Sequence, residues 1–527
     1  MKHFQHVKRK IDSRIIQFMG LNRREVCSDG EMVDMLNLSS QSFPCMMPRK
    51  GRKVMFNVAG VEQMVAYSNS LIWINNNRLY VDGNDVLNKY LPFAIANMTI
   101  MNGHVILNPT PGQEAIGEAG GLMAYDLINN KEVVCGVYKD HSTGITFYGN
   151  KLVFNGDLGV LSNLKAGDAI TLEGCTRSAN NRSAIIESVS DNTFEFLSNT
   201  WDVGEEATED TTYTESGTIK VMRKIPQMDF IFEADNRLWG CSSEKNEIYA
   251  SKQGDFTNFN YFNGLNNDSY ACSLGTEGPF TGAINYNNNM LFFKEGAIHK
   301  MYGYKPSNYQ VITISAEGVK KGCSKSLVCC ANMLFYVARQ GVVCYNGTLP
   351  ELVSAKLGND KLTNGVAGAS QSKYYLSVQR GSVKELLCYD AALEIWHKED
   401  NVNALAFVYI NDYLIYSDGY KVYAVEHEES DENVSWAAIL GEMQENYNGL
   451  KCYSKLRIRV KLEEESRVNV YISHNNKGFN LVKSIYSKTK KEVDILVKPQ
   501  RCDFFQVKIE GQGPSIVYSL IREYFEG

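Results

Sequence analysis

Residues 66–84 read AYSNSLIWINNNRLYVDGN, and their alternation sets the architecture. Leu71, Ile72, Trp73 and Ile74 predict an apolar strand, Asn75 to Asn77 a turn that tolerates positive φ, and Leu79 to Val81 the returning strand. Asp82 and Gly83 supply the next reversal. The same unit recurs at residues 100–109, 146–157, 232–262, 285–303, 329–350, 370–390 and 409–426, where a polar turn of Asn, Gly or Ser precedes each apolar strand. Apart from one interruption the units lie roughly 35 to 45 residues apart, the period of four-stranded propeller blades. A single blade cannot bury both its faces, so serial repetition predicts stacking of about six to eight blades.

The period breaks at KAGDAITLEGC (165–175), SAIIESVSDNTFEFLS and SGTIKVMRK, short strands that predict an inserted small β-barrel. Its acidic stretch GEEATEDTTYTESG is too poor in apolar residues to pack and is expected to form a mobile loop. After about residue 435 the alternation becomes strict, and in KLRIRVKL the residues Leu456, Ile458, Val460 and Leu462 face one way while Lys455, Arg457, Arg459 and Lys461 face the other. This pattern continues to the end of the chain and predicts a β-sandwich. The expected fold class is therefore all-β: a propeller over residues 59–156 and 225–430, an inserted barrel over 157–224, and a C-terminal sandwich over 431–527. Residues 1–58 show no repeat, and Pro44 and Pro48 predict an extended N-terminal arm.

Composition narrows the function. The chain has 527 residues, of which 44% are hydrophobic and 11% aromatic, and a formal net charge of -6 that offers no broad footprint for phosphates. The 13 Cys lack paired spacing, as expected of reduced thiols in a chain made in a cytoplasm, so neither disulfides nor zinc are expected. No apolar run is long enough for a spanning helix, and the interrupted start MKHFQHVKRKIDSR is not a secretory signal.

Three segments, GLNRREVCSDGEMVDMLNLSSQSFPCMMPRKGR (20–52), MDFIFEADNRLWGCSSEKNEIYASKQGDFTNF (228–259) and PQRCDFFQVKIEGQGPSIVYSLIREYFEG (499–527), resemble a family of tailed-bacteriophage virion proteins described as stabilisation or tail nozzle and hub proteins. That resemblance implies a structural ring of six copies of the chain in the virion tail. The ring would join the portal, the adaptor and other tail proteins, with genomic DNA only as a passing strand. It also implies synthesis in the cytoplasm of the bacterial host. The acidic balance is compatible with such a conduit, because a wall that ignores phosphate lets DNA slide. Two other readings stand beside it: a tail-associated propeller that binds or cleaves host-surface glycans, and a receptor-binding module working through propeller loops.

No HExxH, P-loop, GxSxG or strand-borne GxGxxG occurs, which leads to the expectation of a non-enzymatic chain without catalytic residues, metal or cofactor. His3 and His6 are the only histidines close in sequence, and two ligands leave a metal's coordination incomplete. SHNNKGF (473–479) departs from a sialidase Asp-box at its acidic position and reads as a hairpin turn. The pairs Glu205-Glu206 and Glu463 to Glu465 read as surface charge. Four residues are assigned structural roles: Arg237 and Trp239 on a blade strand, with Trp239 as a buried anchor, and Arg501 and Asp503 at the start of a strand, where one or the other is expected to tie the corner by charge-assisted hydrogen bonds. The stripe Lys455, Arg457, Arg459 and Lys461 is the candidate subunit interface, with Glu492, Asp494 and Glu510 as alternative internal partners.

Overall fold

The structure, a computed structural model, describes residues 10–112, 121–204, 211–430, 432–445, 447, 449–486 and 489–526. The described residues are all-β, with strands, turns and a few short 3-10 turns. Seven four-stranded antiparallel sheets follow one another at 61–85, 95–134, 230–273, 282–314, 328–352, 362–400 and 406–424, the last completed by Lys53–Phe56. This is the strand plan of a β-propeller with one blade shared between the two ends of its sequence.

A repeated turn explains the repeated sheet. The hairpin joining a blade's first two strands pivots on left-handed residues in Asn102-Gly103, Asp235-Asn236, Asn287-Asn288, Ala331-Asn332 and Asn411-Asp412. Two successive residues at positive φ match the right-handed twist of the flanking strands, and Asn, Asp and Gly adopt that conformation at least cost. The chain divides into two compact units, residues 63–319 and residues 1–62 with 320–527. Within the first, the opening strands of successive blades, Ile95–Met101, Phe230–Ala234 and Gly282–Tyr286, lie side by side. Within the second the same holds for Val328–Cys330, Leu362–Ser370 and Ala406–Ile410.

The insert begins earlier than the sequence predicts. Val137–His141, Ile145–Phe147 and Lys151–Phe154 pair with insert strands Ile219–Arg223, Tyr213–Glu215 and Thr193–Glu195, so 137–156 leave the propeller. TFYGNKLVFNGD carries the same hairpin pattern as a blade, and local alternation does not say which sheet a hairpin joins. Phe147, Phe154, Phe194, Phe196 and Trp201 fill the insert's own core. Of the acidic stretch, residues 205–210 lie outside the described residues, while Tyr213–Glu215 is a strand rather than loop.

The N-terminal arm is likewise corrected. Lys10–Ile15 pairs with Ser515–Glu526 and Met32–Leu36 with Ser435–Leu440, so both are strands of the C-terminal sandwich, while Lys53–Phe56 closes the last blade on Val422–Ala424. Main-chain hydrogen bonds need no particular side chain, so a segment without repeat can still complete a sheet edge. The sandwich's two sheets enclose Tyr453, Leu456, Ile458, Phe505, Val507 and Leu520.

Candidate functional site

Within the second unit, the turns of the last two blades and the segment leaving Val422–Ala424 surround a polar pocket of about 270 Å³. Strand alternation aims Lys373 and Tyr375 to one face of Lys373–Arg380, and both reach Glu426: Lys373 Nζ lies 3.1 Å from its Oε1, and the Tyr375 hydroxyl donates to it at 3.4 Å. Burial alone would lower the Lys373 pKa, but neighbouring acidic groups including Glu426 carry it above its ordinary value. Burial raises the Tyr375 phenol. Beside this pair the rings of Tyr413 and His427 stack at 4.6 Å, nearly parallel, and both are half-buried. Lys50, Gln371, Asp412 and Glu428 complete the wall.

An ion lattice built on two buried arginines holds the segments that form this wall. Arg49 grips Glu432 with both ends of its guanidinium, at 2.9 and 3.0 Å, and Arg52 bridges Glu399 and Asp400 at 2.6 Å each. Arg52 also lies over the Tyr416 ring. Burying these charges is costly unless they are paired, and the planar forks of two arginines satisfy the carboxylates in a fixed geometry. The motif PRKGR therefore anchors the segment that carries Glu426 and His427, and the His427 amide donates to the Gly51 carbonyl at 3.1 Å.

The residues assigned from sequence fall elsewhere. Trp239 is fully buried among Tyr270, Phe292 and Tyr309 and donates through Nε1 to the Ala234 carbonyl. Arg237 is also buried, and donates to the carbonyls of Ser251 (2.8 Å), Asn266 (2.8 Å) and Asp268 (2.5 Å), holding the 251–269 loop. Arg501 and Asp503 are exposed. Their corner is tied by Asn475, whose Oδ1 accepts from the main-chain amides of Asp503 (2.9 Å) and Phe504 (3.2 Å), rather than by their charges. Asn475 and Asn476 both hold positive φ in the SHNNKGF turn.

On the cationic stripe, Lys455 and Arg457 meet Asp494, and Arg457 also meets Glu523, while Arg459 lies opposite Glu492 in register. Glu510 pairs with Lys508 on the other sheet. Arg459 and Lys461 remain exposed. Glu205, Glu206, His3 and His6 lie outside the described residues. Among the described residues no three His, Cys, Asp or Glu side chains converge as metal ligands, and no helix is long and apolar enough to cross a membrane. The Lys373, Tyr375, Tyr413, Glu426 and His427 grouping was missed in the sequence because it comes from three segments and forms no contiguous motif.

No family model and no curated protein matches the chain, so the resemblance to phage nozzle proteins gains no support from either. Solved structures resemble it at low identity. An exo-β-1,3-galactanase from Phanerochaete chrysosporium is 11% identical, with 55% of this chain and 94% of that one covered and a TM-score of 0.23. The phage phi92 endosialidase is 12% identical, with 79% and 61% covered and a TM-score of 0.19. An engineered GH43 glycoside hydrolase is 8% identical, with 55% and 96% covered and a TM-score of 0.21. These three are enzymes, against which the expectation of a non-enzymatic chain does not stand and is withdrawn; the likeness itself speaks for the fold alone. The inference from missing motifs was unsound for physical reasons: blades can bring catalytic groups together from distant segments, and no short motif announces them.

Proposed function

We propose that this chain is a tail-associated propeller protein of a tailed bacteriophage that engages host-surface glycans through the pocket of Lys373, Tyr375, Tyr413, Glu426 and His427. The observation that carries the reading is the half-buried Tyr413–His427 ring stack set beside the Lys373–Glu426 pair in one pocket. A sugar ring presents an apolar C–H face and a rim of hydroxyls. Ring faces suit the first, and a carboxylate acceptor with ammonium, phenol and amide donors suits the second. The phage context rests on the three resembling segments.

Binding of the purified full chain to an array of bacterial surface glycans tests the reading, with sugar release by the same preparation deciding between retention and cleavage. Tyr413→Ala is expected to weaken retention about tenfold, the effect of losing roughly 1.4 kcal/mol of contact. Retention of no glycan, or full retention by Tyr413→Ala, would overturn it.

A further inference from the structure

The pocket between the last two blades has a charge pattern that discriminates among sugars. Two cations line it, Lys50 and Lys373, against three carboxylates, Asp412, Glu426 and Glu428. Both cations already face acids of the protein itself. Lys373 Nζ lies 3.1 Å from Glu426 Oε1, within electrostatic reach of the buried Glu399, and 3.4 Å from the Ser39 hydroxyl. Lys50 Nζ comes to 4.0 Å from Glu428 Oε1. His427 adds no positive charge in this geometry. The Glu429 amide donates to its Nδ1 at 3.1 Å, and only a ring nitrogen with a free lone pair can accept, so the proton of the ring sits on Nε2.

Asp412 differs from the other two carboxylates. It sits in the hairpin between Ala406–Ile410 and Tyr413–Ser417, exposed, with a φ of 65°, and it has no ion-pair partner among the described residues. The pocket therefore holds one unanswered negative charge, a single residue away from the Tyr413 ring. A ligand carboxylate, sulfate or phosphate placed there would give up its water to meet a like charge, with no free cation to receive it. To reach Lys373 it would have to displace Glu426, leaving a half-buried carboxylate without its ammonium. A sugar hydroxyl instead donates to Asp412 or Glu426, and an amino group does so with the help of its charge. The groups that hold an uncharged sugar are thus the ones that turn an acidic one away, which is how specificity arises from a repulsive element.

We infer that this pocket takes a sugar without an acidic group, neutral or amino-substituted, and rejects sugars that carry a carboxylate, sulfate or phosphate, with Asp412 as the specificity-determining residue. The inference rests on the glycan reading of the pocket and adds to it the charge class of the ligand.

Retention of the full chain on immobilised glycans tests the inference, with the glycans arranged in pairs that differ by one acidic group, such as galactose and galacturonate or N-acetylglucosamine and its sulfate. Wherever the uncharged member is retained, its acidic counterpart is expected to be held about tenfold less firmly, and added salt to narrow the gap. In the double variant Asp412→Asn with Glu428→Gln the ratio of acidic to uncharged retention is expected to rise about tenfold, and in Asp412→Asn alone to move the same way by less. Both positions are exposed and asparagine accepts the positive φ at 412, so the melting curves of the variants are expected to match the wild type's. Equal or firmer retention of the acidic members, or a ratio that both variants leave unchanged, would overturn this inference and leave the glycan reading in place. Retention of no glycan of either kind would overturn both.

Discussion

Single side chains in this protein hold loops and set its response to acid. Arg237 is buried and answers main-chain carbonyls of the 251–269 loop, and burial lowers its pKa. Arg237→Met leaves those acceptors without a donor and is expected to cost about 3 kcal/mol, read from a shift in the urea midpoint. Two buried histidines add a pH dependence. Burial lowers His299 to about 4, assisted by Lys294, and lowers His397 to about 4, assisted by Lys373. Both are neutral in the folded chain and bind protons when unfolded, where the pKa is near 6.5. Their stabilisation is therefore present above about pH 6.5 and lost as the pH falls toward 4, by about 3 kcal/mol each at most. Urea midpoints measured between pH 7 and 4 are expected to fall steeply, and His397→Gln to flatten that slope.

Among the elements, the short strand Lys53–Phe56 carries weight out of proportion to its length. It supplies the fourth strand of the last blade, and its neighbours Arg49 and Arg52 enter the lattice with Glu432, Glu399 and Asp400. Val54→Pro removes an amide and is expected to lower thermal stability by several degrees, whereas the exposed Met55→Thr changes little. Differential scanning calorimetry distinguishes the two. The strand was not legible as such: KVMF is too short to show alternation, and its partner Val422–Ala424 lies more than 350 residues along the chain. The hairpins were legible, since Asn76-Asn77, Asn102-Gly103 and Asn287-Asn288 sit where polar turn residues separate one apolar run from the next.

At the scale of the whole molecule, the insert has its own core. Residues 137–223 close two sheets around Phe147, Phe154, Phe194 and Trp201, and burying aromatic side chains contributes about 1.5 to 3 kcal/mol apiece before chain entropy is charged against it. Expressed alone, this segment is expected to fold, with a cooperative melt and dispersed amide resonances; a chain cut at 157–224, lacking Val137–His141 and Phe147, is expected to remain unfolded.

Local pattern by itself determined that this chain is all-β, that its strands come in blade-sized groups, and that a sandwich ends it, because period-two alternation and turn chemistry are properties of neighbouring residues. Only the tertiary structure decided that residues 10–15 and 32–36 belong to the sandwich, that 137–156 belong to the insert, and that Lys373, Tyr413, Glu426 and His427 share one pocket. Those outcomes depend on which edges meet and which carboxylate answers which cation. Main-chain pairing is indifferent to sequence, and ion pairs form between residues hundreds of positions apart, so neither leaves a mark on any one stretch of the chain.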